Sequence, residues 1–171
     1  MRLSPHLLPA LAALVIASAL PACKKAQDAA VESVIERATG SKVDIDKDGN
    51  SMTIKTEQGD VSITSAEDGG SVAMPAGFPT DVYLPEDHRV ASAMDMAGMQ
   101  MVNLSTRAGV SALSADVESH MQASGWKREM AMQADGSSTL MYSKDKRQVV
   151  YQLVKAEDGG TQLAIRTSES G

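Results

Sequence analysis

Apolar and polar positions change period several times along the chain, and each change marks an element. Leu7 to Leu20 form an almost unbroken apolar run behind Arg2. The run falls short of the ~20 residues of a membrane-spanning helix, and Pro9 interrupts it. Such a run, ending in small residues, reads as the core of a signal peptide over residues 1–22. From Ala29 to Ala38, Val31, Val34, Ile35 and Ala38 recur at helical spacing, and Gly40 follows where a left-handed cap belongs. A helix is predicted there. The period then drops to two. Val43 and Ile45, Met52 and Ile54, and Val61 and Ile63 alternate with polar residues. Asp48-Gly49-Asn50 and Gln58-Gly59-Asp60 separate these runs. That pattern predicts a three-stranded meander offering one apolar face to the helix.

Residues 65–89 lose periodicity at Gly69-Gly70, Pro75, Pro79 and Pro85, with Phe78, Val82 and Leu84 as apolar pegs. They read as an extended linker. Residues 90–168 are expected to form a second unit. Strands at Val90–Met96 and Met99–Thr106 flank an Ala97-Gly98 turn. A helix over Ser111–Ala123 has Val110, Leu113, Val117 and Met121 on one face and ends at Gly125. Four strands follow: Trp126 to Gln133, Ser138–Ser143, Gln148–Lys155 and Thr161–Thr167. The expected fold class is therefore α+β. An N-terminal helix and three-stranded meander (residues 23–64) precede the linker. A β-β-α-β-β-β-β antiparallel sheet with one helix packed on a face comes after it.

The candidate chemistry begins at Leu20-Pro21-Ala22-Cys23. This stretch resembles the lipobox of bacterial lipoproteins: an aliphatic residue, two small residues and a cysteine, with Pro21 departing from the small-residue pattern. The resemblance implies cleavage before Cys23, a thioether from Cys23 to diacylglycerol, and acylation of the new amine. Two or three acyl chains would hold the protein stably to the lipid bilayer. Lys24 stands where an aspartate would favour inner-membrane retention, which implies an outer-membrane anchor with the body facing the periplasm. Cys23 is the one cysteine in the chain, so no intrachain disulfide can form. The alternative is a plain secretory signal cut at Ala22. Four further stretches resemble a group of uncharacterised bacterial lipoproteins: Thr39 to Asp46, Met52 to Thr56, Gly77 to Val82, and the helix ending in Gly125-Trp126. These are patterns of turns and core, so they bear on fold and place and not on activity.

Composition narrows the function. The net charge is −6 with the charges scattered, which argues against nucleic acid as a partner. Eleven methionines stand beside one Phe and one Trp, so thioethers must fill part of the core. Met94, Met96, Met99 and Met101 are a sharper signal. Around an Ala97-Gly98 turn, Met96 would oppose Met99 and Met94 would oppose Met101, all four on one face. Ala91, Ala93, Val102 and Leu104 would form the core face. Four thioethers together suit Cu(I) or Ag(I); the alternative is adaptable packing. Asp44-x-Asp46-x-Asp48-Gly49 begins like a calcium loop, but the twelfth position is Lys55, where a bidentate acid is required. It reads as a hairpin turn. His88 and His120 show no metal-ligand spacing, and no nucleophile, phosphate-loop or cofactor motif is present. The expectation is a non-catalytic binding or structural lipoprotein of the cell envelope, with an envelope protein as partner and no cofactor. The alternative is soft-metal binding through the methionine cluster.

Overall fold

The computed structural model describes residues 33, 34, 36, 37, 42–46, 50–56, 59–67 and 69–169. The signal segment, Cys23, most of the helix expected over Ala29–Ala38, and the Asp48-Gly49 turn lie outside the described residues. Ser33, Val34, Glu36 and Arg37 are helical. Among the described residues nine strands follow: β1 (Lys42–Ile45), β2 (Ser51–Thr56), β3 (Gly59–Ser65), β4 (Arg89–Met96), β5 (Met99–Thr106), β6 (Lys127–Ala134), β7 (Ser137–Lys144), β8 (Arg147–Lys155) and β9 (Thr161–Glu169). One helix, α1 (Val110–Ala123), lies between β5 and β6.

All nine strands belong to one antiparallel sheet in the order β1-β2-β3-β4-β5-β9-β8-β7-β6. This corrects the expected α+β layout of an N-terminal helix with its meander followed by a separate helix-bearing sheet. The protein is mostly a single sheet, and α1 is the one helix with complete bounds among the described residues. The joint is the β3–β4 pairing, with Ile63 opposite Met94 and Val61 opposite Met96. Each strand would otherwise present a row of unpaired backbone N–H and C=O groups at an edge. Pairing them satisfies both rows. Alternation shows which residues share a face but not which edges meet.

Residues 66, 67 and 69–88 do not run between two bodies. They fold back across the sheet as a strap. Ala66 N donates to Ala91 O and Val72 N to Val90 O. Val82 is buried in the core, while Val72, Met74, Phe78, Tyr83 and Leu84 pack against it.

The core lies between this strap, α1 and one face of β4–β9. Leu113, Val117 and Met121 of α1 are fully buried there with Leu140, Tyr142, Val149, Tyr151, Leu153 and Ile165. Each aliphatic or methionine side chain among these contributes about 1.5–3 kcal/mol by leaving water. Tyr151 is buried with its hydroxyl directed at Tyr83 O (3.3 Å) and Met121 Sδ (3.2 Å). The C-terminus of α1 closes as a Schellman motif: Trp126 N donates to Met121 O (2.9 Å) and Gly125 N to Gln122 O (3.0 Å), with Gly125 at φ 81. This reversal drives Trp126 into the core, 3% exposed, and β6 starts one residue later.

Candidate functional site

Among the described residues, two places bear most on function. The first is where the strap meets the ends of β7 and β8. Asp81 of the strap accepts from Arg147 through both carboxylate oxygens (2.9 and 2.8 Å) and from Lys144 (2.9 Å). Lys144 also donates to Ser124 O (2.8 Å). The Arg147 guanidinium lies 4.7 Å from the centre of the Trp126 ring, and the indole N–H donates to Asp81 O (3.1 Å). Hydrogen bonding from Arg147, and then from Lys144, holds the Asp81 carboxyl well below the usual carboxylate range, against its partial burial. A cleft of about 250 Å³ opens beside this cluster, lined by Gly77, Asp95, Gln100, Trp126, Arg147 and Glu169, among others. Gln100 crosses it, donating to Asp95 (2.9 Å) and to Ala76 O (2.9 Å). These groups are spent on one another. They pin the strap and the β4–β5 hairpin, and they supply no base held against a nucleophile.

The second place is the opposite face of the sheet, away from α1. Directly opposed residues in antiparallel strands share a face. The register therefore traces one row across all nine strands: Ile45, Met52, Ile63, Met94, Met101, Arg166, Val150, Met141 and Met130. Every member is half-buried except Arg166, which is exposed. At the strand spacing of about 4.8 Å the row runs about 40 Å. A parallel row continues it over β1–β5 with Val43, Ile54, Val61, Met96 and Met99.

The four methionines singled out from the sequence meet here. Met94 opposes Met101, and Met96 opposes Met99. All four are half-buried and none belongs to the helix-covered core. The expected core face needs one correction. A bulge between Val90 and Ser92 puts Val90, not Ala91, inward opposite Leu104, and Ala91 is exposed. An inserted residue of this kind reverses the parity of the strand before it.

The remaining residues singled out from the sequence fall apart. Asp46 caps its own turn, accepting from Asn50 N (2.8 Å), and Asp44 lies on β1 opposite Thr53. His120 sits in the last turn of α1 with its ring 5.3 Å from that of Tyr83. His88 is hydrogen-bonded to Pro85 O. Among the described residues no three His, Cys, Asp or Glu side chains are placed to share a metal ion, and no helix is long and apolar enough to cross a membrane. The Asp81–Arg147–Lys144 cluster is absent from the sequence reading. Its only signal there was the apolar pegging of the strap, which marked Val82 but not its charged neighbour.

Compared with known proteins, the chain matches no family model, no curated protein and no solved structure.

Proposed function

We propose that the protein is a lipoprotein, anchored through acylated Cys23 and facing the periplasm from the outer membrane. In this reading it binds a protein of the cell envelope through the face of its sheet that α1 does not cover. The work is non-catalytic. The observation that carries the binding role is the row of half-buried apolar side chains outside the core, present on eight of the nine strands and interrupted at β9 by Arg166. A contiguous apolar surface rimmed by polar residues suits an interaction site. Here the next row reads Ser65, Ser92, Asn103, Ala164 and Gln152, polar at all but Ala164. The anchor rests on the lipobox resemblance at Leu20 to Cys23.

One experiment tests both parts in the native envelope. A photo-cross-linking residue is placed at Val150 on the apolar face, or at Lys146 in the exposed β7–β8 turn, with Cys23 kept or changed to Ala. The expected result is one discrete adduct from Val150 and none from Lys146. Cys23→Ala should leave an uncleaved or a soluble form, with membrane fractionation changed from the parent's. Adducts equal at both positions would remove the binding face, and unchanged membrane fractionation of Cys23→Ala would remove the anchor.

A further inference from the structure

The geometry points to a site for a soft monovalent cation, Cu(I), formed by Met94, Met96 and Met99 with Met101 beside them. This goes beyond the envelope-binding reading and stands without it. The four residues occupy a two-by-two block on adjacent strands, Met94 opposite Met101 and Met96 opposite Met99. Opposed Cβ atoms in such a block lie about 4.5–5.5 Å apart, and neighbours along a strand about 6.6 Å. Methionine has three rotatable bonds and an unbranched stem, so thioethers rooted this close can turn toward one ion. They are half-buried and lie outside the core that would otherwise consume them. The block is therefore open to an ion and partly shielded from water.

Its borders decide the kind of ion. On the β3 side stand Val61 opposite Met96 and Ile63 opposite Met94. On the β9 side stand Ser168 opposite Met99 and Arg166 opposite Met101. Among the described residues no carboxylate or imidazole stands opposite any of the four, so a hard divalent cation finds no ligand set there, while thioethers alone select Cu(I). Arg166 closes the block on its β9 side. It is paired with Met101 in the register, so a cation on that side is disfavoured by its charge. The ion is placed toward Met94, Met96 and Met99, on the apolar side.

The test is an anaerobic titration of the full chain with Cu(I) held as its coloured bicinchoninate complex. The parent should withdraw about one equivalent. The double variant Met94→Leu/Met96→Leu should withdraw none, whereas Met130→Leu/Met132→Leu should match the parent. Arg166→Gln should bind Cu(I) roughly two- to tenfold more tightly by removing a charge about 10 Å from the ion. Because a variant can lose its fold, the parent labelled with ¹³C at the methionine methyls is also titrated with Ag(I). The signals of Met94, Met96 and Met99 should move together at one equivalent. A parent that leaves the chelator fully loaded, a double-leucine variant that withdraws as much as the parent, or methyl signals that stay still would each overturn the site. The methionines would then be apolar surface only.

Discussion

Asp81 is 63 residues from Lys144 and 66 from Arg147, yet it binds both. Exposed ion pairs contribute little, but this one is bidentate, stacked on Trp126 and only 28% exposed on the carboxylate side. It also positions the strap segment that brings Val82 into the core. The folded carboxyl titrates well below its ordinary 3.8, so it binds a proton less readily in the folded state than in the unfolded chain. Its contribution is therefore complete above about pH 5. It is lost progressively as pH falls below 3.8 toward the depressed folded value. Asp81→Asn should cost about 1–3 kcal/mol at pH 7. It should also flatten the acid limb of stability between pH 4 and 2, read from urea unfolding at each pH. A variant that keeps the parent's slope there would show that another carboxylate carries the acid sensitivity. Nothing local announces this residue. Its partners arrive from β7 and β8, and only the folded strap brings them together.

At the scale of elements, the β4–β5 hairpin shows what a turn can specify. Gly98 sits at φ 77, and a Cβ built there meets nothing within 4 Å. Glycine is required by backbone conformation alone. With the turn fixed at Ala97-Gly98, the pairs Met96–Met99 and Met94–Met101 follow by counting, so the placement of the methionines was legible in the chain. The bulge at Ala91 was not, because no Gly or Pro marks it. The β3–β4 pairing was not legible either. It joins strands 24 residues apart across a segment whose prolines read as a break. Gly98→Val should destabilise the fold by about 1–2 kcal/mol, since a β-branched residue resists the left-handed region. Gly98→Asn should cost less, because asparagine tolerates that region. Urea midpoints for the pair check it. Equal losses would mean that the penalty is contact at the turn rather than strain.

Across the whole molecule the α1 side of the sheet changes from polar to apolar. One row on the α1 side reads Asp44, Thr53, Ser62, Asp95 and Gln100 over β1–β5, and then Thr167, Val149 and Tyr142, all buried, over β9–β7. On the other face the apolar residues concentrate in β1–β5. Because the helix-covered core draws only on residues between Val72 and Ile165, β1–β3 extend the sheet without building that core. A chain beginning at Gly69 should therefore still fold, with Trp126 fluorescence as buried as in the parent. It would, however, present β4 as a bare edge. Over Arg89–Met96 only Arg89 and Asp95 carry charge, and a sparsely charged, eight-residue edge is a template for pairing. The shortened chain should self-associate with rising concentration in sedimentation velocity, and Met94→Lys on that edge should return it to a monomer. An unfolded shortened chain would make β1–β3 part of the stabilising core. A folded chain that stays monomeric at every concentration would mean that β3 covers no sticky edge, and its pairing with β4 would need another cause.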